Sequence, residues 1–156
     1  MGWSPQRTCL WFYGQCEEAA SFYVTLLPDS RIDEMLRRPN DEVATVVAFT
    51  LGGAAYLALD GGPHLRLTEA VPISLMTRDQ AETDRLWAAL TADGGEGGRC
   101  GWLRDRFGLS WQILPEALPH MLARASRDAA GRMAEAMMEM GRIDIAVLEA
   151  AAREAE

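Results

Sequence analysis

The sequence predicts an α+β fold of two βαβββ modules with additional C-terminal helices. Three observations carry this. Strand-like and helix-like patterns run in the order β-α-β-β-β from Thr8 to Leu59. The same order returns from Val71 to Leu114. From Pro115 onward the composition turns to Ala and Met, with five of the eight Met in the last stretch. The domain boundaries follow: 1–115 for the paired modules (about 8–60 and 71–114) and 116–156 for a helical extension.

The elements are justified in order. Thr8 to Tyr13 is aromatic and β-rich, and Gly14 ends it. Glu17 to Leu27 carries an apolar stripe of Ala19, Phe22, Tyr23, Leu26 and Leu27, and Pro28-Asp29 stops the helix. Ser30 to Arg37 is a weaker strand, followed by turn residues Pro39, Asn40 and Asp41. Val43 to Leu51 and Ala54 to Leu59 are strands joined by Gly52-Gly53, a two-residue hairpin signal. Asp60-Gly61-Gly62-Pro63 breaks the second strand, so Asp60 reads as a solvated turn carboxylate.

In the second module Val71 to Thr77 is a strand. Asp79 to Asp93 is a helix opened by an Asp-x-x-Glu capping box and closed at Gly94. Gly94 to Gly98 reads as a turn: it follows a helix and contains an acid, so it is no phosphate loop. Arg99 to Arg104 and Leu109 to Leu114 are strands around a turn at Asp105 to Gly108. Two further helices are expected at Ser126 to Met140 and Asp144 to Glu154. Their stripes, Met133-Met137-Met140 and Ile145-Leu148-Ala152, suit either the module's own sheet or a dimer interface.

Composition excludes several functions. There are 15 basic and 23 acidic residues, net −8, which argues against nucleic-acid binding and against anionic membranes. All the basic residues are Arg, so Lys Schiff-base chemistry and a P-loop lysine are absent. No apolar run is long enough to span a bilayer. Cys9, Cys16 and Cys100 form no CxxC pair and read as reduced thiols. The start of the chain has no apolar leader core, and Gln6 breaks a myristoylation pattern, so a cytoplasmic protein is expected. His64 sits in the inter-module linker and His120 at the start of the C-terminal helices, in unlike contexts. No Gly-x-Ser-x-Gly turn occurs.

Several segments together resemble one family. Leu10-Trp11-Phe12-Tyr13-Gly14-Gln15, Glu17-Glu18-Ala19, Phe22-Tyr23 and Leu27-Pro28-Asp29-Ser30 resemble the opening of the PhnB-like family of the vicinal oxygen chelate superfamily. Asp60-Gly61-Gly62-Pro63 and Thr68-Glu69-Ala70 resemble its middle, and the run from Cys100 to Ile113 (CGWLRDRFGLSWQI) resembles its end. The resemblance implies a mixed sheet curled around a cleft, helices outside, and a homodimer. Some members are labelled 3-demethylubiquinone-9 3-methyltransferase, but no strand, Gly-rich loop and helix here suits S-adenosylmethionine.

Metal-using relatives hold a divalent ion with His, Glu or Gln from the first and last strands of each module. By the resemblance those positions fall on Thr8, near Ala58, on Ile73 or Ser74, and on Gln112. That set is too poor for zinc or iron, so neither metal nor other cofactor is expected. The expected function is a small-molecule site lined by Thr8, Phe49, Tyr56, His64, Trp102 and Gln112, binding a partly apolar ligand between the modules. A superfamily enzyme (isomerase, dioxygenase or thiol-transferase) and a dimeric interaction protein with a vestigial cleft are the alternatives.

Overall fold

The computed structural model describes residues 4–39 and 42–153. The Met-Gly start, Asn40 and Asp41 of the expected turn, and Glu154 of the last expected helix lie outside the described residues. The chain forms two compact units, Met1–Leu67 and Thr68–Glu156. Each contains one four-stranded mixed sheet, and the two sheets share one topology.

In the first unit the elements are β1 (Thr8–Phe12), α1 (Cys16–Tyr23), β2 (Arg31–Leu36), β3 (Val46–Leu51) and β4 (Ala54–Asp60). The sheet order is β1-β4-β3-β2, with β1 parallel to β4 and the other pairs antiparallel. The parallel pair needs a crossover, which α1 begins. Helix α1 buries Cys16, Ala19, Ala20 and Tyr23, the 3–4 spacing of a single face. It ends at Tyr23 rather than Leu27, because Thr25 and Leu26 donate to carbonyls three residues back and tighten the last turn. Gly52 and Gly53 both have positive φ, 54° and 82°, the pairing a type I′ hairpin turn demands. Strand β2 bulges between Ile32 and Glu34, leaving Asp33 outside the ladder.

The second unit contains β5 (Ile73–Thr77), α2 (Gln80–Thr91), β6 (Glu96–Gly97), β7 (Trp102–Arg104), β8 (Ser110–Pro115) and three helices. Sheet order is β5-β8-β7-β6, again with the outer first strand parallel to the last. Asp79 caps α2, accepting from the Glu82 N–H at 2.8 Å, and Glu82 accepts from the Arg78 N–H at 2.9 Å. The Gly94 to Gly98 segment is not all turn, because β6 lies inside it. Its glycines allow close approach: a Cβ on Gly97 would meet the Trp87 ring at 2.8 Å, and one on Gly98 would meet the Trp102 carbonyl oxygen at 2.9 Å.

Three helices follow: α3 (Ala117–Arg124), α4 (Arg127–Glu139) and α5 (Ile145–Arg153). Helix α3 was not expected as a separate element. Pro119 sits in its first turn, where a missing N–H costs no helical bond. The apolar stripes of these helices turn inward, with Met133, Ile143 and Leu148 fully buried and Leu118 nearly so. Leu114 of β8 and Met137 and Met140 of the expected stripe pack against this cluster. No helix among the described residues is long and apolar enough to cross a membrane.

Candidate functional site

Alternation along β8 sorts its residues onto two faces. Trp111 and Ile113 are fully buried on the α2 side. Thr77 on β5 confirms that side, since its hydroxyl lies 2.6 Å from that of Thr83 on α2. The Trp111 indole N–H donates to Asp105 Oδ2 at 2.8 Å, while Asp105 Oδ1 accepts from the Phe107 and Leu109 N–H groups. Asp105, Phe107 and Trp111 of the family-like run are therefore buried together where this turn meets β8.

The opposite face of the second sheet is partly covered, with Leu114 against the C-terminal helices and Ser74 and Arg104 exposed. It carries Ser74 of β5, Ser110 and Gln112 of β8, and Trp102 and Arg104 of β7. Ser74, Gln112 and Trp102 stand in one row across three strands. The Ser74 hydroxyl donates to Gln112 Oε1 at 3.2 Å, and Trp102 is half-buried. The next row holds Ser110, Arg104 and Glu96. Arg104 pairs with Glu96 at 2.8 Å. Beside Trp102 opens a cavity of about 410 Å³, whose walls include Glu69, Glu96, Arg99, Trp102, Arg104 and Ser110. Of the residues expected from the sequence, Trp102 and Gln112 stand on this face; alternation also puts Ser110 there, and Arg99 and Arg104 were not among the expected residues.

The first sheet places its expected residues differently. Thr8, Tyr56 and Phe49 also form one row, but on the helix-covered side. Phe49 is fully buried, with the Tyr23 ring of α1 at 6.2 Å and the Tyr56 ring stacked at 5.3 Å. Burial pushes the Tyr56 hydroxyl up from its ordinary pKa. Phe49 and Tyr56 are therefore packing residues of this unit, and Thr8 extends their row to an exposed strand end. The open face bears Cys9, Trp11, Leu57 and Leu59. Chain covers part of it: Trp11 donates to the Gly62 carbonyl at 2.9 Å, and a Cβ on Gly61 would clash with the Trp11 ring. Near the other end Arg7 donates to Asp33 at 3.0 Å and to the Phe49 and Tyr56 carbonyls, and Thr50 donates to Asp33. His64 is exposed in the segment after β4.

By the resemblance a metal would be held on the first and last strands of each module. In each sheet the first strand pairs in parallel with the last, so Cys9–Leu57 in one corresponds to Ser74–Gln112 in the other. Thr8 and Ala58 lie one residue away, on the α1 side. In the first unit this pair is a thiol and an alkyl chain, and in the second it is a hydroxyl and an amide. Burial pushes the Cys9 thiol up, which favours its protonated, poorly ligating form. A divalent ion of the zinc or iron type needs three or four good donors, and neither pair by itself supplies them. Among the described residues, no three His, Cys, Asp or Glu side chains form a metal-ligating group.

A methyl donor fits no better. β1 enters α1 through Tyr13 to Gln15, where Gly14 is the one glycine, and Asp60 occupies the N-terminus of α1. That is not the Gly-rich strand-to-helix loop that a nucleotide-type cofactor uses.

A family model described as 3-demethylubiquinone-9 3-methyltransferase matches residues 5–114. No curated protein matches the chain. Among solved structures, a PhnB protein of Bacillus cereus is 26% identical with a TM-score of 0.66, over 72% of this chain and 99% of that one. A protein of Pseudomonas aeruginosa is 27% identical with a TM-score of 0.57, over 71% of this chain and 96% of that one. The fosfomycin resistance protein FosX of Listeria monocytogenes is 15% identical with a TM-score of 0.56, over 80% of this chain and 100% of that one, a likeness of fold. The family match takes in both sheets and stops before α3.

Proposed function

The chain belongs to the PhnB-like family of the vicinal oxygen chelate superfamily, whose model carries the description 3-demethylubiquinone-9 3-methyltransferase, and from that premise we propose that it binds a small, partly apolar molecule on the Trp102 face of its second sheet without a metal ion. The supporting observation is half-buried Trp102, which lines a cavity of about 410 Å³ and stands in one row with Gln112 and Ser74, themselves outside its walls. An apolar wall with a few convergent polar groups is the usual form of such a site, and this volume suits a small organic ligand. Trp102 supplies the apolar surface. Gln112 keeps its amide N–H₂ available while its carbonyl accepts from Ser74. Metal-dependent isomerase, dioxygenase and thiol-transferase readings are not adopted, because the donor set described above is too poor. Methyl transfer is set aside for want of a cofactor loop.

A tryptophan-fluorescence screen of small aromatic and aliphatic compounds in EDTA tests this. At least one compound is expected to give a saturable quench that persists in EDTA and disappears in Trp102→Ala. Gln112→Ala should weaken binding about ten-fold, the size of one lost ligand hydrogen bond. Binding that vanishes with EDTA and returns with added zinc or manganese would overturn the metal-free reading. A screen with no saturable quench would remove the site.

A further inference from the structure

We propose, resting on that reading of the second sheet, that the ligand is a planar aromatic monocarboxylate, its ring against Trp102 and its carboxylate held by Arg99 and Ser110. Ser110 carries the argument furthest. It is only 2% exposed, lines the cavity, and its hydroxyl has no hydrogen-bond partner among the described residues. The hydroxyl is reached from the cavity rather than sealed in the core, so it is open to a ligand there. Arg99 lines the same cavity, and its guanidinium pairs with no acid among the described residues, although the chain carries net −8. Arg104 is already engaged by Glu96. That leaves one free guanidinium and one free hydroxyl, a match for the two oxygens of a carboxylate.

The charge count selects a monoanion. Glu69 and Glu96 also stand on the cavity wall, so a second negative charge on the ligand, as on a phosphate ester, meets repulsion that one arginine does not offset. The aromatic part follows from Trp102, whose indole is half-buried and whose N–H is unpartnered among the described residues. Gly97 and Gly98 line the same cavity with backbone.

Three molecules of nearly one shape and different charge test this by titration calorimetry in EDTA: indole-3-acetate, indole-3-acetamide and tryptamine. The acetate is expected to bind about ten-fold tighter than either of the others. Arg99→Gln should erase that preference and Ser110→Ala reduce it, whereas Arg124→Gln, on α3, should leave it intact. Raising the salt to 0.5 M should narrow it (about three-fold shorter screening than in dilute buffer). Equal affinity for acetate and acetamide overturns the carboxylate claim and leaves the small-molecule reading standing. Tightest binding of tryptamine overturns it in favour of a cation site governed by Glu69. If none of the three binds while another compound quenches Trp102, this proposal alone falls. If nothing quenches Trp102, the reading beneath it falls too.

Discussion

Cys16 and Asp60 illustrate how single residues are set by their surroundings. Cys16 opens α1 with no exposed surface, and its thiol donates to the Ala44 carbonyl at 3.2 Å. Asp60 Oδ1 accepts from the Gln15 and Cys16 N–H groups, both at 3.1 Å, and so caps a helix from a neighbouring strand. Burial first, and then the Asp60 charge, push the Cys16 thiol up from 9.0 to about 12. The neutral thiol is therefore favoured in the folded state. Its contribution to stability is present in full below pH 9 and is lost as pH rises from 9 toward 12. Urea unfolding at pH 7 and pH 10 should thus show a larger loss for the native sequence than for Cys16→Ala. Equal losses in the two proteins would mean that this thiol does not govern the alkaline limb. The sequence suggested a solvated turn for Asp60 because Gly-Gly-Pro follows it. The cap was invisible, since it joins residues 45 positions apart. A similar limit applies to Thr8: a one-residue difference in register decides which face a strand residue occupies, and family likeness did not specify it.

At the scale of elements, legibility followed local chemistry. The Asp79-x-x-Glu82 pattern named the start of α2, and the structure places Asp79 at the N-cap with its carboxylate on the Glu82 N–H. The hairpin at Gly52-Gly53 was equally readable, because positive φ at two successive residues demands glycine-like freedom. Elements defined by distant contacts were not. β6 is two residues long, and it exists because Glu96 and Gly97 pair with Arg104 and Leu103; nothing in a Gly-rich run announces a strand. Helix α3 was obscured by Pro119, which reads as a breaker until its position in the first turn is known. The cap at Asp79 gives a direct prediction. Asp79→Ala should cost about 1 kcal/mol in urea unfolding, the usual value of a lost N-cap, while Asp79→Ser should recover most of it. An unchanged midpoint in the alanine variant would mean that packing of Thr83, Leu86 and Leu90 alone holds the helix.

For the whole molecule, the question is whether the C-terminal helices are an appendage. The matched relatives are covered almost completely by about 72% of this chain, so their modules exist without such an extension. In this chain the extension is built into the second unit. The Gln80 side chain donates to the Ile143 carbonyl at 3.0 Å and accepts from the Ile145 N–H at 2.8 Å, bridging α2 to the start of α5. The N–H groups of Cys100 and Gly101 donate to the Met140 and Gly141 carbonyls at 2.9 and 2.8 Å. Arg142 pairs with Asp84. Gly141 allows this approach, as a Cβ there would lie 2.8 Å from the Gly98 carbonyl oxygen. The sheet it supports is slight, with strands of two and three residues at one side. Met133, Ile143 and Leu148 are fully buried and Leu118 nearly so, and burial of each such side chain is worth about 1.5–3 kcal/mol. Their combined loss is comparable to the whole stability of a domain, about 5–15 kcal/mol. A chain ending at Pro115 should therefore lose cooperative urea unfolding and aggregate on size exclusion, even though relatives of that length fold. A truncated chain that unfolds in one sharp transition near the full-length midpoint would show that the two sheets are self-sufficient and that the helices only sit upon them.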